Sequence, residues 1–345
     1  MKSTMKRLLW LVVLVAACGH TTAIPMERDR SAEGLTRINT WSQVNLTRQI
    51  MPGTNTLAPD GNIYGYINLN TTFGIAQVTP QGNVTAYAIS GNTSGTDEQW
   101  ITPNPNGDIY ALEWMNDGSI DLARLALGVV TETRLPLTQK GDYPYGIVSG
   151  SDGNLWIVHL RGVARFTPEG QWTDFSTGQT FQGAATTDIV RGPDKNIWVL
   201  AMDSIQGTNL LTKVNIASGG FTSYTAPSDA EGLVQGADKN LYALGTDKVY
   251  AIAANGVFTP YPVSPNPWKY AVATSGRLWW VAGAQKNKAF GWSTKTHKIV
   301  LRSAVPGGLC CDTNYINGTG GELWVFQGLT AQVLTSPTPS PSPSP

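Results

Sequence analysis

The chain has 345 residues and a mass of 37.0 kDa, enough for two ordinary domains or for one large architecture built from repeats. Only 14% of the residues are charged, whereas 37 Gly, 21 Pro and 12 Trp indicate many turns and aromatic-anchored strands, which excludes a helical bundle or coiled coil. Lys plus Arg equals Asp plus Glu at 24 each, without a basic block in the body of the chain, and this excludes a nucleic-acid-binding class.

The first 18 residues are typical of an export signal. Lys2, Lys6 and Arg7 form a positive start, and an apolar stretch follows at 8–15 that is too short to span a bilayer. The stretch ends in Val-Ala-Ala-Cys, which resembles the bacterial lipobox and predicts lipidation of Cys18. An ordinary signal peptide with a chance Cys is the alternative. We therefore expect a bacterial lipoprotein on the periplasmic face or cell surface, held to the membrane by its lipid alone.

The segments that flank the body of the chain are predicted to be spacers. Residues 19–33 are rich in Thr, Arg, Asp and Ser and are expected to form a flexible tether. Residues 335–345 read TSPTPSPSPSP, a composition that favours extended polyproline II and buries nothing. The folded domain is therefore predicted at 34–334, and we expect it to be a monomer.

A short phrase recurs seven times along this domain, and each copy ends in Tyr or Trp. Its clearest spelling is Ser-Asp-Gly-Asn-Leu-Trp at 151–156. The seven aromatic anchors are Tyr64, Tyr110, Trp156, Trp198, Tyr242, Trp279 and Trp324. They are separated by 37 to 46 residues, and a repeat of about 43 residues is the length of one four-stranded propeller blade. The sequence therefore predicts an all-β, seven-bladed propeller.

The phrase itself is predicted to be the hairpin between the first and second strands of each blade. Asp-Gly or Asn-Gly between apolar runs forms a tight turn, in which Gly or Asn takes the positive φ. In the third copy we expect strands at 146–149, 154–160, 162–167 and 171–176, with the aromatic anchor packed between blades. After the seventh anchor there is room for only two strands, so the alternating segment 37–46 is predicted to supply the outer strand of the last blade.

The remaining cysteines, Cys310 and Cys311, are neighbours in the chain. A trans peptide holds their Cα atoms about 3.8 Å apart, which is shorter than the usual disulfide separation of about 4.4 to 6.8 Å. Two free thiols are favoured, and a vicinal disulfide in an oxidising compartment is the alternative. None of the three His residues stands at metal-ligand spacing from this pair, which disfavours a Cys/His metal site.

The third copy resembles the repeat of the virginiamycin B (streptogramin B) lyase family. The similar residues are 143–147, 151–156 and 165–170, and weaker similarity extends over roughly 50–327. The resemblance implies a seven-bladed propeller and, in the family's enzymes, a Mg²⁺-assisted elimination that opens a cyclic depsipeptide. It also implies a site in one blade with Glu-Pro-His-Gly before the hairpin and a Glu after the Trp-containing strand. Such carboxylates hold a cation that polarises the ester carbonyl, and the His removes a proton.

The chain departs from that set of residues in every copy. At the three places, the third copy has Tyr143, Tyr145 and His159, and the second copy has Asp97, Gln99 and Glu113. The fifth copy has Asp229 and Glu231, with Gly at the third place. If the chain is a lyase, Asp97 and Glu113 are the candidate Mg²⁺ ligands. His159, with a carboxylate of another blade, or Tyr145 is then the candidate base.

Aromatic and polar residues cluster in the segments that lead into the innermost strands. The candidate ligand-binding residues are Gln99, Trp100, Tyr143, Asp229, Glu231, Trp268, Tyr270 and Tyr315. Aromatic rings with polar neighbours are suited to stacking on sugars, peptide rings or partner loops. The favoured hypothesis is a module that binds a small molecule or protein at the channel mouth, for which the sequence assigns no cofactor. The alternative is a divergent Mg²⁺-dependent carbon–oxygen lyase acting on a cyclic depsipeptide or related ester.

Overall fold

The computed structural model describes thirteen ranges of the chain. They are 40–51, 55–70, 72–90, 100–138, 142–176, 181–182, 188–203, 208–264, 272–274, 276–281, 288–307, 314–317 and 322–335. Within these ranges the chain forms seven antiparallel sheets, which are the seven blades of a propeller. The predicted all-β, seven-bladed fold is confirmed.

The first three blades each contain four strands in chain order. Blade one has β2 (Thr56–Leu57), β3 (Ile63–Asn68), β4 (Phe73–Val78) and β5 (Val84–Ala88). Blade two has β6 (Ile101–Pro103), β7 (Ile109–Trp114), β8 (Ser119–Ala126) and β9 (Val129–Thr138). Blade three has β10 (Pro144–Ser149), β11 (Leu155–His159), β12 (Gly162–Phe166) and β13 (Trp172–Ser176), close to the predicted bounds.

The remaining blades follow the same order, with two departures. Blade four has β14 (Phe181–Gln182), β15 (Asp188–Arg191), β16 (Ile197–Asp203), β17 (Thr208–Val214) and β18 (Phe221–Thr225), and both β14 and β15 pair with β16. Blade five has β19 (Gly232–Gln235), β20 (Leu241–Leu244), β21 (Lys248–Ile252) and β22 (Phe258–Pro262). Blade six has β23 (Val272–Thr274), β24 (Arg277–Val281), β25 (Lys288–Ser293) and β26 (Lys298–Ala304). Blade seven joins β27 (Asn314–Asn317), β28 (Leu323–Gln327) and β29 (Thr330–Thr335) to the N-terminal β1 (Thr40–Asn45).

The repeated phrase folds as a hairpin because its Asp side chain closes the turn. In blade one, Asp60 Oδ1 accepts a hydrogen bond from the backbone N of Asn62 at 3.0 Å, and Oδ2 accepts one from the Tyr64 hydroxyl at 2.7 Å. Asp152, Asp194 and Asp238 bind the corresponding Asn and aromatic anchor in blades three, four and five. The phrase thus fixes both the turn and the orientation of the anchor.

The residue with positive φ in this turn is not always the predicted Gly or Asn. Gly61, Gly107 and Gly153 have φ between 79° and 93°, but Lys195 and Lys239 occupy the same place with φ of 65°. A left-handed conformation costs a non-glycine residue about 1–2 kcal/mol. The hydrogen bonds of the turn Asp offset this cost, so the turn persists without Gly.

The aromatic anchors pack between blades, as predicted. The buried apolar residues fall into seven clusters, each of which joins neighbouring blades. Trp156, for example, packs with Val199 of blade four, and Trp324 packs with Ile63 of blade one. The core is therefore a ring of interfaces, and no blade buries both of its faces alone.

The ring is closed by the N-terminal strand, as the sequence predicts. β1 pairs antiparallel with β29, with Thr40 opposite Thr335 and Asn45 opposite Thr330. The Trp41 indole Nε1 donates a hydrogen bond to Ser303 Oγ of blade six at 2.7 Å. The outer edge of β29 is therefore covered, which protects it from pairing with another chain.

Several predictions concern residues outside the described ranges. These are the signal segment, Cys18, the tether, the Cys310–Cys311 pair and most of the C-terminal tail, and they stay predictions. None of the described residues belongs to a helix long and apolar enough to cross a bilayer.

Candidate functional site

The candidate residues that the structure describes lie on one side of the ring, which we call the top face. Among the described residues, this face carries segments that lead into innermost strands and turns between the second and third strands of a blade. In blade three a hydrogen bond joins the two kinds of segment, since Leu160 N donates to Tyr143 O at 2.9 Å; in blade two, Leu112 N of β7 donates to Trp100 O at 3.0 Å. Because successive strands are antiparallel, the repeated hairpin lies on the opposite face.

His159 ends β11 in blade three and is completely buried. Its Nδ1 lies 2.5 Å from Asp142 Oδ1, and the other oxygen of Asp142 lies 2.5 Å from Arg161 Nη2. The His159 Nε2 lies 3.4 Å from Asp174 Oδ1 on β13 but makes no hydrogen bond. The carboxylates around His159 therefore belong to its own blade, whereas the lyase hypothesis needs one from another blade.

Glu113 of β7 faces blade one and is only 3% exposed. The pKa of its carboxyl group is raised to about 8, chiefly by burial. The negative charges of Glu132 and Asp121 also raise the pKa, whereas a hydrogen bond with Tyr66 lowers it. Its Oε1 has no hydrogen-bond partner. At neutral pH the Glu113 side chain is therefore a protonated, enclosed acid.

Magnesium does not fit the described residues around Glu113. The ion prefers several charged or polar oxygen ligands in octahedral geometry. Glu113 is uncharged and closed to solvent, Asp121 is paired with Arg134, and Glu132 accepts hydrogen bonds from Ser90. The other predicted ligand, Asp97, and its neighbour Gln99 lie outside the described ranges, and no chemical step is derived through Mg²⁺.

Blade five shows how the family's first and third places relate in space. Asp229 Oδ1 accepts a hydrogen bond from the Tyr250 hydroxyl at 2.7 Å, and Oδ2 lies 3.7 Å from Lys248 Nζ. A Cβ atom added to Gly245 would lie 2.7 Å from Asp229 Oδ2. In this blade the position 13 residues before the anchor Tyr242 is therefore adjacent to the position three residues after it. Glu231, at the second place, is exposed.

Three of the predicted aromatic residues, Trp100, Tyr143 and Tyr145, form a chain of ring contacts with Trp114 across blades two and three. The ring centroids are 5.9 Å apart for Trp100 and Trp114, 4.4 Å for Trp114 and Tyr143, and 5.7 Å for Tyr143 and Tyr145. Tyr145 is buried among residues of blades three and four, such as Trp156. Trp100, at one end of this chain, and Tyr143, within it, are partly exposed.

The remaining predicted aromatic residues, Trp268, Tyr270 and Tyr315, are not among the described members of this chain of rings. Trp268 and Tyr270 lie outside the described ranges. The backbone of Tyr315 lies in β27, opposite Val325. Trp114 was not predicted from the sequence. It follows the second anchor by four residues and is buried in the core.

An open cleft of about 570 Å³ lies on the top face at blade one. It is lined by Gln49, Ile50, Met51, Asn68 and Asn70. The first three residues belong to the segment that connects β1 to β2, whereas Asn68 is the last residue of β3 and Asn70 follows that strand. Sequence reasoning missed this cleft because the connecting segment has no counterpart in the repeats. It likewise missed Asp142 and Asp174, which carry no motif.

Comparisons with known proteins agree on the family and the fold. The sequence model of the virginiamycin B lyase family matches residues 40–330. The structure of virginiamycin B lyase from Staphylococcus aureus is similar, with a TM-score of 0.68 and 18% identity, covering 86% of this chain and 99% of that chain. A catalytically inactive variant of that lyase with quinupristin gives a TM-score of 0.66 at 18% identity, with coverage of 86% and 99%. A streptogramin B lyase structure gives 0.68 at 18% identity, with coverage of 87% and 98%. No curated protein matches the chain.

Proposed function

The chain belongs to the virginiamycin B lyase family, and from this premise we propose that it is a lipid-anchored extracytoplasmic propeller that binds a small molecule or protein through its top face. One observation carries the choice of binding over catalysis. The polar side chains at the family's third place, Glu113 and His159, are 3% and 0% exposed, so neither presents its polar atoms to an organic substrate bound at the surface. A general base must come within hydrogen-bond reach of the proton that it removes.

The character of the top face supports a binding role. The cleft at blade one presents the amides of Gln49, Asn68 and Asn70 beside the apolar Ile50 and Met51. Neutral hydrogen-bonding groups beside apolar surface are typical of sites that bind uncharged polar ligands. The partly exposed rings of blades two and three extend this surface with groups that stack on flat ligands.

The first experiment separates binding from catalysis. Purified protein is incubated with a streptogramin B in Mg²⁺ or EDTA, and the products are analysed by mass spectrometry beside an active enzyme of the family. We expect no ring-opened product of unchanged mass. A product that depends on Mg²⁺ would refute the non-catalytic proposal.

The second experiment locates the binding surface. The protein is screened by ligand-detected NMR against neutral oligosaccharides and cyclic peptides, and any hit is repeated with Asn68→Ala. Gln81→Ala is the matched control, since Gln81 is an exposed amide at the opposite end of the same blade. We expect Asn68→Ala alone to weaken binding. Equal affinity in both variants would place the ligand elsewhere.

A lyase is the second candidate function, favoured by the contact between Asp229 and the Gly245 position. By the same offsets we expect Asp97, which lies outside the described ranges, to approach Glu113 in blade two, and this would bring two carboxyl groups together. Under this hypothesis the ring-opened product is lost in EDTA and in both Asp97→Asn and Glu113→Gln. Activity that survives both substitutions would exclude this pair.

A further inference from the structure

The Asp142–His159–Asp174 group of blade three is a cluster that the proposed function does not use. Among the described residues it is the one group of three His, Cys, Asp or Glu side chains whose ligand atoms all lie within 4.8 Å of one another. The three residues come from the loop before β10, the end of β11 and the middle of β13. Strand pairing therefore assembles the group across a single blade.

One nitrogen of the His159 imidazole is buried, makes no hydrogen bond and faces the carboxylate of Asp174. His159 Nε2 has no hydrogen-bond partner, although Asp174 Oδ1 lies 3.4 Å away. Two ligand atoms bound tetrahedrally to Zn²⁺ at about 2.0–2.1 Å are separated by about 3.3 Å. The spacing of this nitrogen and oxygen therefore matches the edge of a tetrahedral metal site.

The other imidazole nitrogen is held as metal-binding histidines require. Asp142 Oδ1 lies 2.5 Å from Nδ1 and, as a carboxylate oxygen, accepts its hydrogen; in the neutral imidazole the lone pair is then on Nε2. Arg161 binds the second oxygen of Asp142 and balances its charge. Asp142 therefore orients His159 without needing to bind the metal itself.

Solvent reaches the group from the side of Asp174, whose side chain is 42% exposed, whereas His159 is enclosed. The positions that these two side chains leave open on a metal would be filled by water. We propose that blade three binds a divalent transition metal of the zinc type through His159 Nε2 and Asp174 Oδ1, with Asp142 as the positioning residue. Nitrogen and carboxylate donors suit Zn²⁺ and Co²⁺ better than Ca²⁺ or Mg²⁺.

The test is direct metal binding by the full, EDTA-treated and dialysed protein. Isothermal titration with Zn²⁺ is expected to show one equivalent per chain. Co²⁺ is expected to give visible absorption bands of tetrahedral nitrogen and oxygen coordination. Asp174→Asn should weaken binding at least tenfold, and because Asp174 is partly exposed this variant should fold. Asp142→Asn should weaken it by about 10–100-fold through the misoriented imidazole.

Asp247→Asn is the matched control, because Asp247 is an exposed aspartate in blade five. It should bind Zn²⁺ as the unaltered protein does. Circular dichroism and thermal melting establish that each variant is folded. Absence of binding at 1 mM Zn²⁺, undiminished binding by Asp174→Asn, or a thiolate-to-Co²⁺ charge-transfer band would overturn the proposal.

Discussion

Among single residues, Glu113 links the stability of the propeller to pH. Its carboxyl group has an ordinary pKa of 4.5 and a pKa of about 8 in the folded chain, where burial disfavours the charged form. Between these values the folded state holds a proton that the unfolded state has released. The free energy of unfolding therefore falls with rising pH, by about 1.4 kcal/mol per pH unit from this group.

The substitution Glu113→Gln tests this linkage. The amide has nearly the same shape but does not ionise, so the variant should lose stability less steeply than the unaltered protein between pH 5 and pH 8. Urea unfolding at several pH values measures the slope. Glu169→Gln, at an exposed site, serves as the control and should leave the slope unchanged. Parallel slopes for the unaltered protein and Glu113→Gln would contradict the assignment.

A second residue-scale effect is the strain at Lys195. Its φ of 65° lies in the left-handed region, which glycine adopts without a steric penalty. Lys195→Gly should raise the free energy of unfolding by about 0.5–1 kcal/mol, the relieved strain being partly offset by the greater freedom of glycine in the unfolded chain.

The reciprocal change, Gly153→Ala, provides the comparison for Lys195→Gly. Gly153 has a φ of 79°, and a Cβ atom there meets no other atom within 4 Å, so only backbone strain is added. This variant should be destabilised by about 1 kcal/mol. Chemical denaturation measures both changes, and a destabilising Lys195→Gly would show that the lysine side chain contributes a contact of its own.

Among the secondary-structure elements, the closure of blade seven depends on the pairing of β1 with β29 and not on whether these two strands are consecutive in the chain. β1 is antiparallel to β29, and its first residue, Thr40, lies opposite the last residue of β29, Thr335. A short hairpin between these two residues would therefore produce an ordinary blade with four consecutive strands.

Circular permutation tests this interpretation. A chain that begins at Leu46 and carries residues 40–45 after Thr335 through a short turn should keep the fold and nearly the same melting temperature. The matched control begins at Leu46 and lacks residues 40–45. It should be destabilised by several kcal/mol, because the edge of β29 and the Trp41 contact with Ser303 are lost. Equal stability of the two chains would show that β1 is dispensable.

For the whole molecule, the folding of the propeller ring and its proposed attachment to the membrane are expected to be independent of each other. Every aromatic anchor is buried between neighbouring blades within residues 40–335. We therefore expect that the proposed anchor at Cys18 can be removed without changing the fold.

Cys18→Ser is expected to move the protein from the membrane to the soluble exported fraction. Metabolic labelling with a palmitate analogue should mark the unaltered protein and not the variant, since the thiol that would carry the lipid is absent. A double Cys310→Ser and Cys311→Ser variant is the control and should remain in the membrane. Membrane retention of Cys18→Ser would contradict the lipoprotein proposal.

Some features of the candidate site can be predicted from the sequence, whereas the burial of its side chains cannot. The offsets from the anchors correctly relate the Asp229 position to that of Gly245, because antiparallel pairing makes such distances regular. The burial of Glu113 against Tyr66 is different, since it depends on how two blades pack. No pattern along the second repeat distinguishes a carboxylate open to the channel from one enclosed between blades.

The number of blades, the position of each hairpin and the strand that closes the ring can all be predicted from the amino-acid sequence alone. These features follow from a period, from hydrogen bonds over two to four residues and from the alternation of side chains, all of which are local. The three-dimensional packing is needed to show that Asp142 and Asp174 meet at His159, that Glu113 is an enclosed acid and that a cleft opens at blade one. The physical reason is that desolvation and ligand geometry are set by packing between strands and blades, which the spacing of residues in one repeat does not specify.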